Sequence, residues 1–370
     1  MCAADTSFSR PLRILHLAPL NTAGVPYTFL KAERALGYES RLITFTKHPF
    51  HFDEDICLNL PFITTPGLHT LKKLLKSRSI SSNDDISQIP PVRRCNRFEK
   101  HLFRLRDRVW SRKITNFLNT FDMNSFDLYQ LDGGAGLYHD SRIIKQLSKE
   151  GKTIICMYLG SDLRMRGIIP EINGISSCNF TVEYDHIDLY PGICHVPFPF
   201  DFSDFHFSAA DNEKTPVIIG HAPSKRSNKG SDYILKVLQQ LQKFYSFEIC
   251  LIENQPHWKA LELKSQCSLF IDQISDLGYG INAVESMAMG IPTFSNLMQR
   301  FKESYPNAPI VEVTFDDLKE KLIPYIKSPE MRLSVGKASR EWVRQVHDAV
   351  NVIQEIHGIV AHCVTDKGKK

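Results

Sequence analysis

Short apolar runs alternate with helix-period segments along this 370-residue chain, and the alternation starts twice. The first series opens with the strand-length run 12–18 (LRILHLA), and residues 19–24 supply turn chemistry. Residues 25–36 then carry apolar side chains at helical spacing, stopped by Gly37, before the next strand at 41–45 (RLITF). A strand, a helix and a second strand within about 30 residues form a βαβ unit, which demands a parallel sheet covered by helices. Further strands are expected at 127–131, 153–158, 178–182 and 193–196. A stretch without periodicity, 197–207 (PFPFDFSDFHF), reads as a packed connection.

The second series begins at 216–220. An amphipathic helix is expected over 231–245, with Ile234, Val237, Leu238, Leu241 and Phe244 on its apolar face. Strands follow at 247–252, 268–271, 292–294 and 310–313. The C-terminal stretch is helical, carrying Trp342, Val346, Val350, Ile353 and Ile356. The expected fold class is α/β, with two Rossmann-like domains facing across a cleft. The first covers residues 1–200, with a basic helical insertion at about 65–120. The second covers 201–345, and a helix over 346–370 packs back towards the first. Clefts between domains are common ligand sites.

Several function classes fall away. No apolar run reaches the roughly 18 to 20 residues that cross a bilayer, and residues 1–13 lack the apolar centre of a signal peptide. The nine cysteines include no C-x-x-C pair, so buried free thiols in a reducing compartment are expected and a zinc site is not. The expected location is the cytoplasm. After the first strand the loop reads N-T-A-G-V-P, not G-x-G-x-x-G, and no acidic residue ends the second strand. A nicotinamide dinucleotide site is therefore unsupported.

The net charge of +4 is uneven. Residues 69–113 hold 13 Lys and Arg against 4 Asp and Glu, a local +9, which leaves about −5 for the rest. Such a block suits anionic lipid headgroups, a phosphorylated acceptor or nucleic acid, or it is simply a solvated helical hairpin.

Two stretches of the second half carry the chemistry. The first, His221-Ala222-Pro223-Ser224-Lys225-Arg226-Ser227-Asn228-Lys229-Gly230, follows a strand and enters a helix. Free N–H groups and partial positive charge at a helix N-terminus suit a phosphate, with Arg226 as a planar fork and Lys229 as a mobile point charge. Alternatively it is a polar loop whose Ser231 caps the next helix. The second stretch runs from Asp272-Gln273 through Gly278-Tyr279-Gly280-Ile281-Asn282-Ala283-Val284-Glu285 to Gly290-Ile291-Pro292. Gly278 and Gly280 permit close backbone approach to a ligand, or a turn. Glu285 borders the buried helical face, where ribose hydroxyls would satisfy it. Otherwise Asn282-x-x-Glu285 is a capping box.

Together these stretches resemble the C-terminal domain of the group 1 (family 4-like) glycosyltransferases, which adopt the GT-B fold. The family pattern G-x-G-x-x-x-x-E-[AS]-M-A-x-G-x-P appears here as G-Y-G-I-N-A-V-E-S-M-A-M-G-I-P. The loop H-A-P-S-x-R-x-x-K-G is similar to a bacterial subgroup. The likeness covers residues 217–294 well and the first half only in architecture. It implies that Arg226 and Lys229 neutralise the donor phosphates, that Glu285 binds the ribose, and that His221, Ser224, Gly278, Gly280 and Asn282 line the donor site. The family's first glutamate, eight positions before the second, is Leu277 here.

In the first half, Leu159-Gly160-Ser161-Asp162-Leu163-Arg164 is similar to an H-G-S-D-[IL]-R segment of related enzymes, with Leu159 in place of histidine. Asp162 is a catalytic candidate, while Arg164 and Gly24 are candidates for a phosphate or acceptor loop. Asp132-Gly133-Gly134 occupies a comparable strand end. The expected activity is transfer of a sugar from a UDP- or GDP-linked donor to a hydroxyl of a sugar or lipid-linked acceptor, with retention. No metal, cofactor or nucleic-acid partner is expected; peripheral contact with the inner, anionic face of a membrane is, through residues 69–113. A sugar-nucleotide epimerase, a non-catalytic nucleotide-sugar binding protein, and a basic nucleic-acid or membrane-binding module resting on residues 69–113 are the rivals.

Overall fold

The computed structural model describes residues 11–63, 90–93, 95–160, 162–203, 216–275 and 278–367. Leu277, Ser161 and much of the basic block (69–89 and 94) lie outside the described residues. The chain divides into two compact units, the first made of residues 1–48, 52–199 and 349–370, the second of 49–51 and 200–348.

Among the described residues the first unit is built on seven parallel strands: β1 (Arg13–Ala18), β2 (Glu39–Thr44), β3 (Ile56–Cys57), β4 (Leu128–Asp132), β5 (Thr153–Tyr158), β6 (Cys178–Thr181) and β7 (Cys194–His195). They lie in the order β3-β2-β1-β4-β5-β6-β7. Ile14 pairs with Ser40 on one side and Leu128 on the other. The runs are continuously apolar because helices cover both faces of such a sheet. The helix Val25–Ala35 buries Phe29 and Leu30, and it also buries Glu33. That carboxylate accepts from His16 at 2.7 Å and from the Ser40 hydroxyl at 2.5 Å. The last helix, Ala349–Lys367, belongs to this unit and brings His357 to 3.5 Å from the same carboxylate. The helix Arg97–Leu118 starts with a reciprocal capping box between Asn96 and Glu99. It is anchored by Trp110, whose indole N–H donates to the Pro61 carbonyl at 2.9 Å.

The described residues of the second unit hold five parallel strands: β8 (Val217–His221), β9 (Phe247–Leu251), β10 (Leu269–Gln273), β11 (Thr293–Ser295) and β12 (Val311–Glu312). Their order is β12-β11-β10-β8-β9. The helix Ser231–Leu241 buries Ile234, Val237, Leu238 and Leu241. It stops short of the expected residue 245, and Phe244 is 76% exposed rather than part of the core. The chain turns there to enter β9, and Phe247 takes the place beside this helix in the apolar cluster. The helices Ile281–Ala288 and Pro329–His347 cross closely: a Cβ on Gly336 would lie 2.0 Å from the Gly290 carbonyl oxygen.

Candidate functional site

In an open parallel sheet, ligands bind beyond the carboxyl ends of the strands where the strand order reverses. In the second unit that point lies between β8 and β10, which are hydrogen-bonded neighbours. The two chemistry-bearing stretches are the segments that leave these two strands. Topology alone thus brings together what lies about 50 residues apart in sequence.

The junction is tight. The short helix Arg226–Lys229 ends at Gly230, whose φ of +70° is left-handed. A Cβ there would lie 2.4 Å from Ile274 Cγ1, so only glycine fits. The Ile274 N–H donates to the Lys229 carbonyl at 3.3 Å, and the Ser275 hydroxyl to the Asn228 carbonyl at 2.6 Å. Asp272, at the end of β10, is fully buried and joins the two stretches. Its Oδ1 accepts from the Lys229 ammonium at 2.8 Å and its Oδ2 from the Gly280 N–H at 3.0 Å. Gln273 beside it donates to the carbonyls of Gly278 at 2.5 Å and Asn296 at 3.1 Å, which ties Gly278 to the chain leaving β11. Gly278 has a φ of +74°.

The helix Ile281–Ala288 starts after Gly280 with no side-chain cap and no acidic residue in its first turn. The capping-box alternative for Asn282 and Glu285 is thereby excluded. Asn282 donates to the Ala222 carbonyl at 3.1 Å and accepts from the Lys264 ammonium at 2.8 Å. Glu285 is buried, with Oε2 held by Lys264 at 2.5 Å and Oε1 by the His257 Nε2–H at 2.7 Å. Burial alone raises its pKa, but the Lys264 charge and the His257 contact outweigh that and bring it to about 2. Lys264 is fully buried, whereas the His257 side chain is 31% exposed. The helix Ser231–Leu241 has no side-chain cap either: Ser231 is its first residue and bonds elsewhere.

That bond goes to His221, the residue expected to line the donor site, whose ring is turned into the fold. The ring is fully buried; its Nδ1–H donates to the Ile271 carbonyl at 2.8 Å and its Nε2 accepts from the Ser231 hydroxyl at 2.8 Å. Both nitrogens are occupied inside the fold, and burial lowers the pKa below the ordinary histidine value. His221 is a neutral strut that fixes the loop between β8 and its helix. Ser224 and Arg226 are exposed on that loop. Arg226 forms a two-bond fork with Glu253, at 2.8 and 2.7 Å. Glu253, Lys264 and His257 had no recognisable sequence signal: they are polar residues at unremarkable spacing, 21 to 32 residues before Glu285.

The first unit reverses its strand order between β1 and β4. Gly24, with φ +74°, starts the helix Val25–Ala35 after β1, and Asn21 stays buried by donating to the Asp53 carbonyl at 2.7 Å. Beyond β4, Gly133 approaches Asp162 and Arg166 so closely that a Cβ would lie 3.0 Å from Asp162 Oδ2. Asp162 forms an ion pair with Arg166. Arg164 is directed elsewhere, to Asp185 at 2.5 Å and Glu183 at 2.8 Å. Asp132 is buried, and burial with the neighbouring Asp162 charge raises its pKa well above the ordinary value. Among the described residues, no group of three or more His, Cys, Asp and Glu side chains could hold a metal ion. No helix among them is long and apolar enough to cross a membrane.

No protein-family model matches this chain, and no curated protein matches it in sequence. Its fold is similar to solved structures over nearly its whole length. Sucrose-phosphate synthase from Thermosynechococcus elongatus is similar at a TM-score of 0.59 and 11% identity, covering 96% of this chain and 100% of that one. Anabaena Alr3699/HepE, solved in complex with UDP and glucose, is similar at a TM-score of 0.56 and 12% identity, covering 95% and 100%. The same protein in complex with UDP-glucose gives 0.56 at 10% identity, covering 94% and 99%. At these identities the likeness establishes architecture: the chain is an α/β protein of two Rossmann-like units, the GT-B fold.

Proposed function

We propose that this chain is a glycosyltransferase that takes a nucleotide-diphosphate sugar in its second unit. The observation that carries the reading is the double engagement of Asp272, which sets the Lys229 ammonium beside the uncapped N-terminus of the helix Ile281–Ala288. An ammonium and a helix N-terminus at a strand-order reversal are what a diphosphate requires. Asn282, in the first turn of that helix, and Glu285, one turn along it, supply polar groups for the ribose. The oxygen that His257 reaches keeps a second lone pair for a hydroxyl. UDP and UDP-glucose in the Anabaena structures make a uridine nucleotide the first donor to test.

In the reaction, the bond between the sugar C1 and the diphosphate oxygen breaks, and the diphosphate leaves with the electron pair. The acceptor hydroxyl oxygen bonds to C1, and its proton passes to the departing phosphate. Attack on the same face gives retention. The protein's share is positive charge at the leaving oxygens, from Lys229, from the helix N-terminus and from Arg226 once it turns from Glu253. None of these contributions uses a metal ion. The acceptor, a sugar or lipid-linked hydroxyl compound, falls to the first unit, where Gly24 and Asp162 flank strand ends.

The test is product analysis with UDP-glucose and GDP-linked sugars, with and without acceptor. Release of nucleoside diphosphate that depends on an acceptor supports the transferase. An isomerised donor formed without acceptor would make the chain an epimerase, and binding with no turnover would make it a nucleotide-sugar binding protein.

A further inference from the structure

The helix Arg97–Leu118 turns one side to the core through Asp107, Trp110 and Ile114. Its opposite side is not the polar face such a helix usually shows. Phe98 is 52%, Leu105 43% and Val109 54% exposed. With roughly 100° between successive residues, these three fall within about 40° of one another, a single apolar ridge. Beside the ridge stand Arg97, Arg104, Arg108 and Arg112, all exposed. Neither carboxylate of the helix lies on this arc: Glu99 closes the capping box and Asp107 is buried. Among the described residues, no ion pair engages these four guanidinium groups.

On the side of Arg104 and Arg108, the helix borders a cavity of about 840 Å³ that Arg93, Lys100, Arg142 and Lys145 also line. Six cations face three carboxylates there. Two of the three are engaged: Asp107 by Arg106 at 2.7 Å and by the His139 N–H at 2.9 Å, and Asp140 by Arg142 at 3.0 Å.

We infer that this helix docks the protein on an anionic bilayer, lying in the plane of the interface. The ridge enters the headgroup–acyl boundary, and the arginines with the cavity take the phosphates of lipid headgroups. Cations alone would serve any polyanion. An apolar ridge standing outward among them fits a surface that is anionic and apolar at once, which a bilayer is. From Phe98 to Val109 the ridge is about 16 Å long, enough to lie along the interface. This docking is independent of the donor site, so each reading can fail alone.

The test is co-sedimentation of the full chain with vesicles of phosphatidylcholine, or of phosphatidylcholine and phosphatidylglycerol in equal parts. Wild type binds the anionic vesicles and not the neutral ones. Each of Arg104→Gln, Arg108→Gln and Arg112→Gln weakens binding about fivefold. Phe98→Ser, Leu105→Ser and Val109→Ser combined weaken it about tenfold or more. Should that triple variant melt early, the single exposed change Leu105→Glu gives the same reading. Nucleotide binding by the second unit, measured in parallel, stays at wild-type strength in all of them. Equal sedimentation with both vesicle types overturns the inference. So does binding that the ridge variants leave intact while inorganic phosphate competes it away, which would make the cavity a site for a soluble anion.

Discussion

Asp272 holds the Lys229 ammonium on one oxygen at 2.8 Å and the Gly280 N–H on the other at 3.0 Å, so one buried carboxylate sets the position of both groups that the proposed function assigns to the donor phosphates. Lys229→Met should lower kcat/KM for the nucleotide sugar by about 10² to 10³, the usual loss for one preorganised charge. Asp272→Asn should cost less, because the amide oxygen still accepts from Gly280 but no longer draws the ammonium. Steady-state kinetics on the two variants checks the order.

Lys264 and Glu285 form an ion pair inside the second unit, with Lys264 fully buried. Lys264→Met leaves a buried carboxylate with only His257, and should destabilise the protein by about 3 to 5 kcal/mol. Lys264→Met combined with Glu285→Gln should recover much of that loss, since no uncompensated charge remains. Urea unfolding of the single and double variants measures both. A double variant no more stable than the single one would contradict the pairing.

Acid should act through two carboxylates. Burial raises the pKa of Glu33 and Glu285, but His16 and His357 around the first, and Lys264 and His257 around the second, bring each from 4.5 to about 2. Both are depressed, so their contribution is complete above the unfolded value of 4.5 and is lost as pH falls through about 2. The melting temperature should fall across that window, and less steeply in Glu285→Gln. Equal slopes in wild type and variant would contradict the assignment.

Gly230 carries a left-handed φ of +70° with Ile274 Cγ1 2.4 Å from where a Cβ would sit. Gly230→Ala should cost about 1 to 3 kcal/mol and weaken nucleotide binding, because the shift displaces Lys229 next to it. Denaturant melts and nucleotide titration test the two effects separately.

Much of the architecture was legible because parallel strands buried on both faces write continuous apolar runs, as in Thr153–Tyr158, and the helices between them write a period of 3.6. Strand ends were less legible. Phe244 reads as core by spacing, yet the need to reverse into β9 leaves it exposed. At the site, the glycines and the order of the two stretches pointed to β8 and β10. Their partners were hidden, because Glu253, His257 and Lys264 meet Arg226 and Glu285 only through the strand order. His221 shows the converse: its place in a polar loop motif hid a side chain that faces inward, between Ile271 and Ser231.

The most direct measurement of the central claim is a thermal-shift panel of UDP, GDP, ADP and TDP on wild type, Lys229→Ala and Glu285→Ala. A ligand bound only by the native state adds about 2.7 kcal/mol of stability at a hundredfold excess over its dissociation constant. The account predicts a rise in melting temperature for one nucleotide in wild type, lost in both variants. No shift with any of the four, or a shift that both variants keep, would contradict a donor site at the ends of β8 and β10.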